Sequence, residues 1–398
     1  MVRMRAFLFC ALIILLDGYD LQAMALAVPT LAAHWHLPAS AFAPALSASL
    51  VGLGLGSALL APLGDRIGRR PLLVGGMLLM AVTGAGAACA DGVGQLVLWR
   101  ALIGAALGVC QANATALASE HAPPARRAGV MTLVGCSVSL GGMLAGWAAP
   151  WILAQATWRG LFLVGAVLPA GIAVAALAGL PESPQLPAGR PAAANPGALA
   201  SLRALLAPAY RERTLRLWCI YGLAALLLYL LTSWLPVLLS SAGWPAARAL
   251  RGIALLQFGG IAGALIQAWW IDRGHPVGAL IGAYAVTAAA AAAFAVPGAQ
   301  GAWPLLLVLL GSGAAGAMLS IFAVGAIYYP PAIRVSGFGW AGAITRVGAV
   351  LGPLLGGWVL GTAMPAAHIM ALMALPAALC CVLAVGMRRT LRLACRMG

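Results

Sequence analysis

Charged residues are scarce in this chain, and lysine is absent. Only 8% of the 398 residues are Asp, Glu, Lys or Arg, whereas soluble proteins carry about 25%. Eight residues are acidic, and all 23 basic residues are Arg. So few charges cannot cover a surface in water, whereas a lipid bilayer requires no such cover. The composition therefore excludes an ordinary soluble domain and indicates a membrane protein.

The sequence also lacks the patterns of metal, redox and nucleotide sites. The eight cysteines form no C-x-x-C pair, and no two of the five histidines are three or four residues apart. No glycine-rich phosphate loop is present, so nothing indicates an ATP-driven pump. We therefore expect no cofactor and no metal site.

The basic charge is not arranged as a surface for nucleic acid. The formal net charge is +15, yet the Arg residues lie in short gaps between apolar runs. There is no basic groove and no interleaved row of aromatic residues. Nucleic acid is therefore not an expected partner, and membrane lipid is.

Apolar sequence is abundant, with 63% hydrophobic residues and a mean hydropathy of +0.99. A helix needs about 20 mostly apolar residues to cross a bilayer. The first apolar run contains two aspartates and extends over a full crossing, so we interpret it as a helix and not as a cleaved signal peptide. The predicted spans are 6–33, 40–64, 71–91, 94–119, 128–152, 158–181, 215–240, 250–271, 276–296, 302–325, 337–361 and 366–387.

Twelve spans place both termini on the same side of the membrane. If that side is the cytoplasm, eighteen Arg residues lie inside and only Arg159, Arg248 and Arg251 lie outside. The positive-inside rule therefore predicts cytoplasmic termini. One long polar segment interrupts the spans, so we predict a six-helix bundle at 1–181, a cytoplasmic linker at 182–214 and a second bundle at 215–398.

An internal repeat relates the two predicted bundles. At an offset of 207 residues, the matches are Asp65-Arg66 with Asp272-Arg273, Pro123 with Pro330, Arg127 with Arg334, Gly135 with Gly342, Gly141 with Gly348, and Trp151 with Trp358. Parallel repeats of this kind are typical of transporters that move two bundles about a site near the bilayer midplane.

Charged residues within the spans are not repeated, and they are the candidates for function. Asp17 and Asp20 lie three residues apart on one face of the first helix. An ionised carboxylate at that depth costs about 2.5–3.5 kcal/mol, so the pair must face a cavity, hold a proton or meet an Arg. The alternative is a structural ion pair. Arg100 is a partner for these carboxylates, a contact for a substrate carboxylate, or a snorkelling side chain.

Arg346 lies deep in the eleventh span, and the C-terminal spans contain no acidic residue. Because a guanidinium can bind a carboxylate through two hydrogen bonds, we predict that Arg346 anchors an anionic substrate. Pairing with Asp17 or Asp20 is the alternative. An aromatic substrate would also need a flat apolar slot, for which Tyr229 and Trp340 are candidates, and Gln257 could bond a ring hydroxyl.

Several motifs resemble those of a known family. Gly64-Asp65-Arg66-Ile67-Gly68-Arg69-Arg70 and Arg100-Ala-Leu-Ile-Gly104 resemble signatures of the major facilitator superfamily. Asp17-Gly18-Tyr19-Asp20 resembles the D-G-x-D motif of its aromatic acid:proton symporters. Two positions depart from the usual pattern, namely Ala61 in place of Gly and Ile327 in place of Glu.

Within that family, the chain is most similar to hydroxyphenylpropionate transporters. The resemblance is carried by Asp20-Leu-Gln-Ala23, Leu202-Arg-Ala-Leu205 and Trp234-Leu-Pro236. It implies the all-α major facilitator fold, a bacterial inner membrane, a monomer, and proton-coupled import of an aromatic carboxylate of the hydroxyphenylpropionate or hydroxybenzoate type. It also implies that Asp17 and Asp20 couple transport to protons.

The resemblance further implies a gate at the cytoplasmic helix ends. The residues concerned are Asp65, Arg66, Arg69, Arg70, Glu120, Arg127, Asp272 and Arg334. The alternative is that these residues only set the orientation of the helices, because the surface potential of the membrane holds Arg on the cytoplasmic side.

Two other functions remain as alternatives. Proton-coupled efflux of an anionic or amphipathic molecule uses a similar fold, and only the direction of transport distinguishes it. An intramembrane transferase would need a catalytic cluster near the interface, for which His34, His36 and Asp91 are the loose candidates. Such an enzyme leaves the repeat of the two halves unexplained, so we expect a transporter and not an enzyme.

Overall fold

A computed structural model describes residues 2–123, 127–183, 198–208, 210–329, 331–362 and 364–397. Side chains are described for these residues except at 2–3, 127–128, 198–200, 319–320, 322–323, 326–328, 331–332, 334–335 and 388–397. The helices are α1 (Val2–Trp35), α2 (Ala43–Leu55), α3 (Gly64–Ile67), α4 (Arg69–Ala88), α5 (Val93–His121), α6 (Arg127–Gly179), α7 (Ala198–Leu205), α8 (Arg211–Ser241), α9 (Ala246–Asp272), α10 (Pro276–Ala293), α11 (Trp303–Tyr328), α12 (Pro331–Leu360), α13 (Ala366–Leu372) and α14 (Ala374–Met397).

The helices are long and apolar enough to span a bilayer. The described residues contain eleven candidate spans, one of which, Gly129–Gly179, has 51 residues. At 1.5 Å per residue that stretch would be about 76 Å long, more than twice the hydrocarbon core. Thr157 interrupts it with a non-helical backbone (φ 56°, ψ −165°), which divides α6 into two crossings. The all-α membrane fold is therefore confirmed, and the helices are consistent with twelve crossings.

Two local features differ from a simple series of straight spans. The second span passes through a π-helical turn at Gly56–Leu60 and a 3-10 turn at Ala61–Leu63 before α3. The predicted linker 182–214 contains the short helix α7 in its described part, and α8 begins at Arg211, within the predicted linker.

The 207-residue repeat is also found in close contacts between helices. A Cβ atom on Gly141 of α6 would overlap the carbonyl oxygen of Leu15 in α1. At the equivalent place, a Cβ on Gly348 of α12 would overlap the carbonyl oxygen of Gly222 in α8. The residue numbers differ by 207 on both helices, so glycine allows the same close backbone approach in each half.

A second helix pair repeats in the same way. Gly52 of α2 lies against the backbone of Ala101 in α5, and Gly259 of α9 lies against that of Val308 in α11. The reciprocal contacts of α5 and α11 also match, because Gly104 meets Ser49 and Gly311 meets Leu256. The two halves therefore share one scheme of helix packing, set by small residues.

The Cα positions divide into two compact units. The first combines Met1–Gly189 with Thr232–Ala254 and Pro353–Thr362, and the second combines Arg190–Leu231, Leu255–Gly352 and Ala363–Gly398. Three of the five boundaries fall inside α8, α9 and α12. The predicted division into 1–181, 182–214 and 215–398 follows the sequence repeat and not these contacts, and it stays a prediction.

Large apolar side chains cover parts of the outer surface. Trp151 and Trp358, which match in the repeat, are 70% and 74% exposed. Such exposure is unfavourable in water and suits a helix that faces lipid.

The second unit has a buried core formed by α8, α10, α11 and α14, which includes Tyr221, Tyr284 and Ile321.

Candidate functional site

Asp20 and Arg100 form a buried ion pair between α1 and α5. The Arg100 guanidinium donates to the Asp20 carboxylate at 2.8 Å and to the Asp20 backbone carbonyl at 3.4 Å. Arg100 is 1% exposed and Asp20 is 5% exposed. A buried charge of either sign is strongly unfavourable alone, so each residue stabilises the charged form of the other. Of the three possibilities for Arg100, partnership with a carboxylate is the one observed here.

Asp17 has a different partner on the same helix pair. Gln111 donates a hydrogen bond from its Nε2 atom to Asp17 Oδ2 at 2.7 Å. Asp17 is 1% exposed. The two carboxylates, three residues apart on α1, therefore meet α5 at separate positions, 100 and 111. Sequence reasoning missed Gln111, because an uncharged residue in an apolar span carries no signal of its own.

The two middle residues of the D-G-Y-D motif, Gly18 and Tyr19, hold α1 against α6 on both sides of its interruption at Thr157. Gly18 lies so close to the backbone of Val138 that a Cβ atom would overlap its carbonyl oxygen. Tyr19 donates a hydrogen bond from its hydroxyl group to the carbonyl of Leu161 at 2.9 Å. The motif therefore combines the polar contacts of both carboxylates to α5 with one packing contact and one hydrogen bond to α6, which fixes the position of both carboxylates.

Several buried polar atoms nearby have no hydrogen-bond partner among the described residues. They are Arg100 Nε, Gln22 Oε1 and Ser49 Oγ. Gln22 is on α1, two residues after Asp20, and Ser49 contacts Gly104, one turn along α5 from Arg100. Buried polar atoms of this kind are normally satisfied by water or ligand, and Arg100 keeps one N–H donor that its pair with Asp20 does not use.

A second polar network connects the helix ends at Asp65, Glu120 and Glu182. Arg69 contacts the carboxylates of Glu120 at 2.7 Å and Asp65 at 3.3 Å. Ser183 donates a hydrogen bond from its hydroxyl group to Glu120 at 2.6 Å. Four of the residues predicted for gating, namely Asp65, Arg69, Arg70 and Glu120, are therefore in or beside one network; their role stays a prediction.

Glu182 is the part of this network that sequence analysis did not select. Its Oε1 atom accepts hydrogen bonds from the backbone N–H groups of Arg69 at 2.9 Å, Arg70 at 3.2 Å and Ser183 at 2.8 Å. The first two N–H groups are at the start of α4, where a carboxylate is favoured by the free donors and the helix dipole. Gly68 makes the turn before α4 with φ 107°, a conformation that favours glycine.

The equivalent ends in the second half are described only in part. Asp272 is exposed, and Arg273 lies 3.7 Å from the ring centroid of Trp269. Arg66 is exposed on α3. The side chains of Arg127 and Arg334 are outside the described residues, so their predicted gating contacts stay predictions.

The predicted substrate residues of the C-terminal half lie on three helices of the second unit. Arg346 on α12 and Tyr229 on α8 are half-buried, and these helices contact each other closely, since Gly352 lies against the backbone of Tyr229. Gln257 is buried on α9. Trp340 is paired with Trp218 at 6.1 Å between ring centroids and donates its indole N–H to Ser201 at 3.3 Å. The role of all four in substrate binding stays a prediction.

Metal chemistry finds no support in the described part of the chain. No group of three or more His, Cys, Asp and Glu side chains there could hold a metal ion.

Comparison with known proteins gives the family. The sequence profile of the Major Facilitator Superfamily matches residues 10–333. The chain is 32% identical to a gallate transporter of Pseudomonas putida, with 92% of this chain and 88% of that protein covered. It is 32% identical to a 4-hydroxybenzoate transporter of Pseudomonas aeruginosa (94% and 90% covered). It is 33% identical to the 3-(3-hydroxy-phenyl)propionate transporter of Escherichia coli (91% and 88% covered).

A comparison of structures gives the same fold. The crystal structure of a D-xylose-proton symporter superimposes with a TM-score of 0.78 at 16% identity and covers 97% of each chain. The matching proteins are transporters and not enzymes, so the intramembrane transferase is set aside. The chain belongs to the major facilitator superfamily, and its relatives within that superfamily are transporters of aromatic acids.

Proposed function

We propose that this protein imports an aromatic carboxylate together with protons by alternating access. The observation that carries the proposal is the D-G-Y-D segment of α1, whose two carboxylates are buried and separately bonded to Arg100 and Gln111. The relatives with similar sequences carry gallate, 4-hydroxybenzoate and 3-(3-hydroxy-phenyl)propionate. Identities of 32–33% to all three favour no single ring substitution over another.

The substrate class requires coupling to a cation. An anion that enters a negative-inside cell works against about 2.3 kcal/mol per 100 mV. One co-transported proton cancels that charge, and any further proton adds driving force. Asp17 and Asp20 are the buried carboxylates of α1 available to carry it.

The Asp20–Arg100 pair supplies a mechanism for coupling. When a proton neutralises Asp20, the attraction to Arg100 is lost, and the guanidinium becomes available to another anion. When the proton leaves, the pair forms again. Because a buried guanidinium without an anion is unfavourable, proton binding and anion binding are linked at this position.

Arg346 is the proposed anchor for the substrate carboxylate in the C-terminal half. It is half-buried, and its planar fork matches a carboxylate. Tyr229 and Gln257 are proposed to contact the ring and its hydroxyl groups, and Trp340 adds aromatic surface. The network of Asp65, Arg69, Glu120 and Glu182 is proposed to close the cytoplasmic side when intact, with both termini on that side.

Transport into proteoliposomes tests the proposal. Labelled 3-(3-hydroxyphenyl)propionate, 4-hydroxybenzoate and gallate would be supplied outside, with either an inward or an outward proton gradient. We expect accumulation only with the inward gradient, loss of accumulation with a protonophore, and competition among aromatic acids but not by glucose.

The opposite gradient separates import from efflux. Accumulation driven by an outward proton gradient would identify a proton antiporter, which exports its substrate in the cell. Gradient-driven uptake that glucose abolishes and aromatic acids leave unchanged would refute the substrate class while leaving the fold intact.

A further inference from the structure

A groove between the end of α9 and the start of α10 combines aromatic, basic and apolar surfaces. It has a volume of about 520 Å³ and is lined by Trp269, Trp270, Arg273, His275, Gly278, Ile281 and Gly282. Trp269 and Trp270 are 52% and 41% exposed. Tryptophan is favoured at the level of lipid headgroups, and this groove lies at the end of two candidate membrane spans.

The basic end of the groove is suited to phosphate. Arg273 lies over the ring of Trp269, 3.7 Å from its centroid, with one nitrogen 3.5 Å from the Trp269 carbonyl oxygen. Stacking orients the guanidinium and leaves further N–H donors for an anion. Among the described residues, no carboxylate forms an ion pair with Arg273, although Asp272 precedes it in sequence.

The start of α10 adds to the same surface. His275 precedes the helix, forms no side-chain capping bond and is followed by Pro276 in the first turn. The first turn of a helix favours negative charge, and α10 begins beside the groove that Arg273 and His275 line.

The other end of the groove is apolar and open. Gly278 and Gly282 are one turn apart on α10. A Cβ atom added to Gly282 would be in van der Waals contact with the ring of Trp270, at 3.6 Å. Because these two positions carry no side chains, the groove continues along the helix as an apolar channel.

We propose that this groove binds one glycerophospholipid, with its phosphate on Arg273 and His275 and an acyl chain along Gly278 and Gly282. The occupant is a lipid and not a free anion, because the phosphate-binding end continues into the apolar channel at a membrane surface. The transport proposal uses none of the residues of this site. A negative result for lipid binding would therefore not contradict the transport proposal, and the reverse also holds.

The chain offers a matched control for the charge. Arg248 lies over the ring of Trp244 at 4.3 Å, at the other end of α9, and is not part of this groove. Arg248→Gln therefore removes the same charge from the same kind of Arg–Trp pair, at the opposite end of α9. Gly278→Leu tests the channel without changing any charge, and no described atom lies closer than 3.7 Å to the added Cβ.

Native mass spectrometry of the delipidated protein, titrated with dioleoylphosphatidylglycerol, would measure binding. Dioleoylglycerol has the same chains without phosphate, and inorganic phosphate has no chains. We expect one tightly retained phosphatidylglycerol in the wild type and in Arg248→Gln, about fivefold weaker binding in Arg273→Gln, and loss of that lipid in Gly278→Leu. Dioleoylglycerol should not be retained, and excess phosphate should not displace the lipid.

Three results would overturn the proposal. Equal binding by Arg273→Gln and Arg248→Gln would show that Arg273 does not bind the headgroup. Retention of dioleoylglycerol at the same strength would show that phosphate is not recognised. Displacement of the lipid by inorganic phosphate would identify a free-anion site.

Discussion

Gln111 on α5 holds the carboxylate of Asp17 at 2.7 Å, while Asp20, one turn along α1, is held by Arg100. The two acidic residues of one motif therefore have unlike partners, one a neutral amide and one a cation. A hydrogen bond to an ionised group is worth about 1.5–3 kcal/mol, so this amide is strong enough to influence how Asp17 acts in transport.

Substitution of Gln111 tests that influence. We expect Gln111→Leu to reduce proton-driven uptake about tenfold or more and to change its pH profile, because Asp17 loses the amide donor that is bonded to its carboxylate. The control is Thr115→Val, one turn along α5, whose hydroxyl group bonds the carbonyl of Gln111 and not Asp17. Identical pH profiles for the two variants would remove Gln111 from the coupling mechanism.

The buried Asp20–Arg100 pair predicts a specific pattern of stability. Arg100→Gln leaves Asp20 buried without its cation and should cost about 3–5 kcal/mol, seen as a lower melting temperature in detergent. The double variant Asp20→Asn/Arg100→Gln removes both charges and should recover most of that loss, yet should not restore proton-driven uptake. A double variant as unstable as the single one would mean that the pair is not an isolated electrostatic unit.

Glu182 should stabilise the start of α4. Because its carboxylate accepts from the N–H groups of Arg69 and Arg70, we expect Glu182→Ala to speed amide hydrogen exchange at these two residues about tenfold or more. Glu212→Ala is the control, since Glu212 pairs with Arg216 on the exposed surface of α8. Unchanged exchange at Arg69 and Arg70 would exclude the capping role.

The repeated glycines allow a matched test of helix packing. Gly141→Ala and Gly348→Ala should each destabilise the protein by about 1–3 kcal/mol, because the new methyl group overlaps a backbone carbonyl on the neighbouring helix. Gly135→Ala and Gly342→Ala are also repeat mates, but nothing lies within 4 Å of the added Cβ at either position.

The two control variants should be neutral or up to about 1 kcal/mol more stable, as expected for Gly→Ala in a helix. Thermal unfolding in detergent would compare the four proteins. A large difference between Gly141→Ala and Gly348→Ala would contradict the structural equivalence of the halves.

The fold could be predicted from sequence because its signals are strong and local. Long apolar runs, the Arg distribution and the 207-residue repeat are each visible in the residues alone, and the helices overlap every predicted span. The short helix α7 was missed because it lies in a polar segment and has only eight residues, too few for a clear periodic pattern.

The site was predictable where it is charged and unpredictable where it is neutral. Asp17, Asp20 and Arg100 stood out because charge in a membrane span is costly. Gln111 and the contacts of Gly18 and Tyr19 depend on which helices become neighbours, which short-range patterns do not specify. Glu182 was missed because a single carboxylate beside a polar linker resembles many surface residues, and its partners are backbone groups more than a hundred residues away.

The most direct test of proton coupling compares two modes of transport in Asp17→Asn. Proteoliposomes would be assayed for uptake driven by a proton gradient and for exchange of labelled against unlabelled aromatic acid without a gradient. If Asp17 carries a coupled proton, the variant should lose gradient-driven accumulation and retain exchange, while Arg346→Gln should lose both. Wild-type accumulation by Asp17→Asn, still abolished by a protonophore, would contradict the proposed role of Asp17.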